Sequence, residues 1–333
     1  IICLFLFLST TNIVLTKNSD KFSNAKDISN YFSGVLSVND NQYEKSYFYL
    51  KSLNNLEDSH LKYSQYYQYS LISLKKFRDA ANYSQKLEDK KLDNFESNLI
   101  STIYHLQKKD MENTLFNLQK LKNTSQPGTI QNLLYTSLST WINLKNTPDL
   151  NSALKLLEVT PERFKGIKKI QKTFVYCYFD SPKTDEMFKQ LTTNTDINYS
   201  RYNYFYSIYL ISKNNKKKAK EIVLSALEKQ PNNLILNQLK KELEEGNASR
   251  NKFDCRNSTD VIAEIFYIVS NVLAVQKNYM LSNFYLRLAN YLNSNFVSFD
   301  TLFADNLFLI QEYEEAKKIY KEVKKKGSVY NWY

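Results

Sequence analysis

Residues that could carry out catalysis or hold a metal are sparse in this sequence. Its 333 residues include two histidines, His60 and His105, and neither has a second histidine or a cysteine at the spacing that zinc sites use. A nucleophile paired with a neighbouring base is equally hard to assemble from so few histidines. We interpret His105 as a structural residue at a core position of a helix, and His60 as part of a turn.

Paired carboxylates and glycine-rich loops give no stronger signal for catalysis. Glu244-Glu245 and Glu314-Glu315 could serve general acid–base chemistry, but both pairs fall on helix faces that we predict to be exposed. The chain has only five Gly, and neither a phosphate-binding loop nor a G-x-S-x-G motif occurs. We therefore predict that this chain is not an enzyme and that it uses no cofactor and no metal.

The cysteines leave two alternatives open. Cys3 belongs to an apolar N-terminal run, which leaves Cys177 and Cys255. These two could form a disulfide in an oxidising compartment. Cys177, however, lies in an apolar helical run, where a free cysteine commonly acts as a small buried hydrophobic residue. We favour free thiols over a disulfide.

Composition indicates an all-helical, folded chain. Hydrophobic residues make up 43% of the sequence and include 26 Tyr and 20 Phe, which is ample material for a core. Five Gly and five Pro leave few residues for tight turns or for the boundaries of strands. Helices joined by short polar turns fit this composition best.

The net charge of +11 raises nucleic acid as a partner. Lysine and asparagine are abundant throughout the chain whereas arginine is scarce, and no stripe alternates lysine with aromatic residues. The runs Lys216-Lys217-Lys218 and Lys324-Lys325-Lys326 fall at helix ends on predicted solvent faces. We therefore predict no nucleic-acid partner, an interpretation that a steep salt dependence of binding would contradict.

The N-terminus predicts export. Residues 1–8 form an apolar run that is followed by small polar residues, as in a signal peptide, and we assign residues 1–16 to such a segment. The sequence opens without a basic region or an initiator Met, so we expect a truncated start. An uncleaved membrane anchor and an ordinary buried helix are the alternatives.

A 34-residue interval is the strongest signal in the sequence. An aromatic or apolar residue stands three positions before a small residue in five segments, and the small residues are 34 positions apart within each group. A helical bundle without repeats has no reason to return to this interval. The segments are Tyr43/Ser46, Phe77/Ala80 and Met111/Thr114, followed by Tyr279/Ser282 and Tyr313/Ala316.

The interval and its residues resemble the tetratricopeptide repeat. Ala219, Val223, Ala226 and Pro231 reproduce the second helix of a unit, while Ala304, Leu307 and the run Tyr313-Glu314-Glu315-Ala316 give a nearly complete unit. The resemblance implies an all-α, right-handed solenoid of antiparallel helix pairs. Residues 260–333 are also similar to exported tetratricopeptide proteins of alphaproteobacteria, whose role is unassigned, and that likeness implies an envelope location.

We divide the chain accordingly. Residues 24–245 form a tetratricopeptide-like solenoid, with degenerate units anchored at Ala153 and Met187 and a lengthened loop at 124–128. Residues 246–258 form a polar loop, and residues 259–333 form further units. Whether these are two sub-solenoids stays open. Because the last segment starts another helix without a capping helix, we expect a fragment.

The function that follows from repeat, signal and missing chemistry is protein binding. Stacked helix pairs create a concave groove lined by the first helix of each pair. We predict that the groove includes Lys62, Tyr69, Arg201, Tyr204, Tyr267, Asn271 and Asp305.

A peptide or a partner helix would lie in this groove, and the protein would be a scaffold in the periplasm or anchored in the inner membrane facing it. The alternative is the non-catalytic part of a larger enzyme. The clamp that some tetratricopeptide domains use on a terminal carboxylate has no match here.

Overall fold

A computed structural model of the chain describes residues 25–53, 56–147, 149–193, 201–248 and 252–332. The predicted signal or anchor at 1–16 lies outside this range. The described residues form α-helices joined by short connections, and no strand occurs among them. The helices are α1 (Ala25–Asn39), α2 (Tyr43–Leu50), α3 (Leu61–Ser73), α4 (Phe77–Asp89), α5 (Phe95–Gln107), α6 (Met111–Thr124), α7 (Ile130–Asn143), α8 (Leu150–Leu156), α9 (Lys165–Tyr178), α10 (Thr184–Thr192), α11 (Tyr202–Ser212), α12 (Lys216–Lys229), α13 (Leu234–Glu244), α14 (Ser258–Val275), α15 (Tyr279–Leu292), α16 (Ser298–Leu309) and α17 (Tyr313–Lys324).

Consecutive helices pack as pairs, which confirms the predicted all-α architecture of stacked helix pairs. The second helix of a pair begins at Tyr43, Phe77 and Met111, and again at Tyr279 and Tyr313, so the 34-residue interval is the distance between equivalent helix starts. The small residues three positions further on are all buried, because a larger side chain there would push the two helices apart.

The turn within a pair has the same backbone conformation from unit to unit. Asn41 and Lys75 have φ of 58° and 59°, and each stands two residues before the second helix. The amide of Asn41 donates to the carbonyl of Val38 and that of Gln42 donates to the carbonyl of Ser37, which closes the end of α1. Glycine usually occupies this left-handed position, whereas here lysine, asparagine or glutamine does. The same turn recurs with positive φ at Lys109, Asn214, Lys277 and Gln311.

The last two helix pairs do not simply extend the array. Helix α14 packs against α7, and α15 packs against α3 and α5, which are the first helices of earlier pairs. The ring of Phe284 on α15 lies 4.9 Å from that of Tyr69 on α3. The C-terminal pairs therefore fill the face on which a solenoid of this kind would otherwise present its groove.

Polar contacts join the first and last units. The side-chain amide of Asn283 donates to Asn41 Oδ1 at 3.3 Å, and that of Gln42 donates to Glu312 Oε1 at 3.2 Å. Both bonds link the turn before α2 to elements about 240 to 270 positions later in the chain. The two ends of the described array thus meet along one seam.

The expectation of free thiols is wrong. Cys177 at the end of α9 and Cys255 in the loop before α14 form a disulfide, with Cα atoms 6.0 Å apart. Cys177 has apolar surroundings, as predicted, but that surface is covered by the 252–257 loop, whose Phe253 ring contacts the rings of Phe174 and Phe205. This insertion brings Cys255 to Cys177, and no helical pattern encodes it.

Helix α14 is long and apolar enough to cross a membrane by length and composition alone. Half of its apolar window is buried inside the protein, and its Glu264 side chain is fully enclosed. The core helix of a folded domain meets the same criteria, so this hydropathy is explained by packing.

Replacing both cysteines by alanine tests the disulfide. Since the bond links residues 78 positions apart, we expect the Cys177→Ala/Cys255→Ala variant to lose about 2–4 kcal/mol of unfolding free energy. Denaturant unfolding with and without reductant measures this loss. Reductant should lower the unfolding free energy of the unmodified protein to that of the variant and leave that of the variant unchanged. If reductant changes both proteins equally, the result contradicts the disulfide.

Candidate partner-binding groove

An open cavity of about 530 Å³ lies where α11, α13, α14 and α16 approach one another. We call it the central groove. Five of the seven residues that the sequence assigned to a partner-binding surface line it, although they come from three separate parts of the chain. These five are Arg201, Tyr204, Tyr267, Asn271 and Asp305, and they are joined by Asn232, Asn233, Leu234, Ile235, Phe296, Ser298, Thr301 and Leu302.

Arg201 holds the walls of the central groove together. Its Nε and Nη2 donate to the two carboxylate oxygens of Glu264 at 2.8 Å each, and its Nη1 donates to Ser298 Oγ at 3.0 Å. Three donors of one guanidinium thus connect the start of α11 with α14 and α16. Burial would lower the pKa of Arg201, but the Glu264 carboxylate raises it above the ordinary value, so the guanidinium stays charged.

Aromatic rings form the floor beside this ion pair. The Arg201 guanidinium lies 3.8 Å from the centroid of the Tyr267 ring, and Phe296 stacks against Tyr204 at 5.5 Å. The Tyr204 hydroxyl is buried and has no hydrogen-bond partner within the described residues. Burial raises its pKa well above the ordinary value, so the hydroxyl remains a neutral donor.

Asn271 and Asp305 form the accessible polar edge. Asn271 is exposed on α14, and Asp305 is half-buried on α16, where one of its oxygens accepts a hydrogen bond from the Tyr320 hydroxyl. Burial raises the pKa of the Asp305 carboxyl, and the bond from Tyr320 opposes that rise. The edge therefore offers an amide and a carboxylate to a partner.

The opposite wall is the start of α13. The Asn233 side chain accepts a hydrogen bond from the amide of Leu236 at 3.1 Å, which caps the helix and fixes the preceding turn. Asn232 and Leu234 stand on either side of this cap, one exposed and the other half-buried. A polar and an apolar side chain thus face the groove from this wall.

Two predicted groove residues lie elsewhere. Lys62 and Tyr69 are both on α3, far along the chain from the central groove, and Lys62 is exposed. Tyr69 is only 2% exposed, because α15 covers it, so the prediction that it faces a partner is wrong. Arg201 and Tyr204 also differ from the prediction in their role, since they support the groove from below instead of projecting into it.

Sequence reasoning missed the residues that come from outside the first helices. Asn232 and Leu234 follow Pro231, which the repeat pattern predicts only as the end of a unit. Phe296 lies just before α16 and Ser298 is the first residue of that helix, and both reach the groove through the turn of the chain around Asn293. The Asn-Asn sequence after Pro231 was the one available signal, because asparagine favours a helix cap and an ordered turn.

The candidate catalytic residues of the sequence do not line the central groove. No cluster of three or more metal-ligating side chains occurs in the part of the chain that the structure describes. His105 is half-buried with Nδ1 3.1 Å from Asp110 Oδ2, which is a local contact at the end of α5. Glu244-Glu245 and Glu314-Glu315 are exposed, as predicted.

Comparison with known proteins adds little to this geometry. No model of a known protein family matches the chain. No curated protein sequence matches it either. Among solved structures, the crystal structure of yeast Tom70 aligns over 90% of this chain and 69% of its own, with 14% sequence identity and a TM-score of 0.28. A likeness of that size carries no argument about function, and the repeat architecture rests on the helix pairing described above.

The Arg201–Glu264 pair yields a stability prediction. Replacing Glu264 by Gln leaves a largely enclosed guanidinium without its counter-charge, so we expect a loss of about 3 kcal/mol of unfolding free energy. Replacing both residues by methionine, as Arg201→Met/Glu264→Met, should reduce the unfolding free energy less than the single change does, because no charge remains buried. Denaturant unfolding of the three proteins measures this. If Glu264→Gln lowers the unfolding free energy by less than about 1 kcal/mol, the Arg201–Glu264 pair contributes no more than an ordinary surface ion pair.

Proposed function

We propose that this protein is a protein-interaction scaffold that holds an extended peptide or a partner helix in the central groove. The observation that carries the proposal is the convergence of an amide, a carboxylate, apolar side chains and a buried hydroxyl without a partner around one open cavity. Binding sites combine apolar surface with a few positioned polar groups in this way. Helix pairs stacked as repeats supply the rigid walls.

Apolar surface continues beyond the groove. Val275 stands one helical turn after Asn271 on α14, and Leu309 stands one turn after Asp305 on α16. These two side chains are 77% and 61% exposed. A bound segment that places an apolar residue over them and polar groups over Asn271 and Asp305 would bury surface that otherwise faces water. This argues for a partner longer than a small molecule.

A second candidate is the non-catalytic region of a larger enzyme. The absence of a metal-ligating cluster within the described residues is compatible with it, and the groove would then bind either the substrate protein or another domain. The scaffold is preferred because the groove needs no additional domain to be complete.

We further propose that the protein is exported and works in the periplasm, free or anchored in the inner membrane. The apolar run at residues 1–8 supports this location. The Cys177–Cys255 disulfide supports it independently, because such bonds persist in oxidising compartments and are rare in the cytosol. The partner would then be a protein of the cell envelope.

Selection of peptides from a displayed random library tests the groove. The peptides that bind the purified protein should lose affinity about tenfold when Asn271 is replaced by Ala or Asp305 by Lys, since each change removes a hydrogen bond or reverses a charge at the edge. Asn151→Ala, an exposed asparagine on α8, is the matched control and should bind normally. If the peptides bind all variants with equal affinity, the partner-binding surface lies outside the central groove.

Thiol labelling in intact cells tests the location. In an exported protein, Cys177 and Cys255 should resist a maleimide reagent under denaturing conditions until a reductant is added. Protease added to spheroplasts should then degrade the protein while a cytosolic marker survives. Reactive thiols together with protection from protease would refute export.

A further inference from the structure

A second cavity lies at the seam between the first and last units. Its volume is about 270 Å³, and it is lined by the turn before α2, the end of α3, α15, α16 and the start of α17. At about 30 Å³ per water molecule this space holds on the order of nine non-hydrogen atoms. It is therefore of the size of a single amino acid. We call it the seam cavity.

Arg287 on α15 lines the seam cavity. Its guanidinium stacks on the Phe303 ring at 3.6 Å, and its Nε is buried without a hydrogen-bond partner. Burial lowers the pKa of Arg287 to about 10, which still leaves it charged at neutral pH. A cation in this position is unusual, since an enclosed charge without a counter-ion is costly.

No carboxylate of the described chain neutralises Arg287 through an ion pair. Asp300 exerts the nearest compensating charge, but it already accepts hydrogen bonds from Lys326 at 3.0 Å and from Asn290 at 3.2 Å. Arg201, by contrast, is fully matched by Glu264. Within the described residues Arg287 is thus a second largely enclosed arginine, and its environment is that of an anion-binding group.

A buried hydroxyl on the other side of the seam points to the same conclusion. Ser73 at the end of α3 is 5% exposed, and its Oγ lies close to the Tyr43 hydroxyl without the geometry of a hydrogen bond. Tyr43 already donates to Asn41 Oδ1 at 2.6 Å. The Ser73 hydroxyl can therefore donate a hydrogen bond to an oxygen of a ligand.

The rim of the seam cavity carries carboxylates. Glu44, Glu312 and Glu315 line it together with Lys45, and Glu315 pairs with Lys318, which leaves Glu44 and Glu312 as the carboxylates outside that pair. Glu312 accepts one bond from Gln42 through Oε1, which leaves its second oxygen for another donor. A purely anionic ligand would meet repulsion at this rim, whereas a ligand with a positive group at its outer end would be attracted.

We propose that the seam cavity binds a small zwitterion of amino-acid size. The carboxylate of the ligand pairs with the Arg287 guanidinium at the inner end, and its ammonium group faces Glu312 at the rim. Because Arg287 belongs to the last units and Ser73 and Tyr43 to the first, the ligand contacts both sides of the seam. Its binding stabilises the closed arrangement of the array.

Calorimetric titration with three related probes tests this site. L-Alanine carries both charges, N-acetyl-L-alanine lacks the ammonium group, and L-alaninamide lacks the carboxylate. We expect L-alanine to bind about tenfold or more tightly than either relative, since each of them loses one charge-assisted hydrogen bond. Glycine and L-leucine bracket the size that the cavity accepts. The absence of binding by all three zwitterions at millimolar concentration overturns the proposal.

Variants of the whole chain locate the binding. Arg287→Met should abolish L-alanine binding while the protein stays folded, because the change removes an enclosed charge instead of creating one. Glu312→Gln should weaken the binding of L-alanine and leave that of N-acetyl-L-alanine unchanged. Arg78→Met, at an exposed arginine on α4, is the matched control and should bind normally. If Arg287→Met fails to fold, the Glu312→Gln variant decides alone. The site is refuted if L-alanine and N-acetyl-L-alanine each bind this variant as tightly as they bind the unmodified protein.

Discussion

The packing of α14 and α15 against the first helices of earlier pairs is the constraint on which the rest of this structure depends. An array of helix pairs has an inner face that is apolar enough to need covering, and here the chain covers it with its own last units. That single arrangement buries Tyr69, brings Glu264 to Arg201 and closes the seam between Asn41 and Asn283. A partner can bind only to the surface that this packing leaves exposed.

The ion pair between Arg201 and Glu264 sets the geometry of the central groove. Glu264 lies on an otherwise apolar helix and is completely enclosed, so its charge requires the bidentate partner that Arg201 supplies. The third bond, to Ser298, fixes α16 in the same arrangement. Such a network contributes more to specificity than to net stability, since three elements must reach one position before any of the charges is satisfied.

The two largely enclosed arginines show how the same residue type can have different roles. Arg201 is saturated by side chains of the protein, and its part in the groove is to hold the walls. Arg287 has an aromatic ring beneath it and no carboxylate bonded to it within the described chain, so its hydrogen-bonding capacity faces a cavity. Neither role can be read from the sequence around the residue, because the counter-charge comes from a distant helix in one case and is missing in the other.

The sequence by itself determined the unit of this fold. A period of 34, a small residue at each helix crossing and the scarcity of glycine predicted the helix pairs, because these features depend on contacts within one pair. The repeated positions Tyr43, Phe77 and Tyr313 are helix starts in the structure. Tertiary structure alone decided which face is open, that Cys177 meets Cys255, and that Tyr69 is covered while Asn271 and Asp305 share a cavity. The periodicity of the sequence predicts which side of a helix is apolar. It does not predict which distant helix buries that side, because many apolar surfaces are chemically alike and the pairing depends on the shape and charge of the whole folded chain.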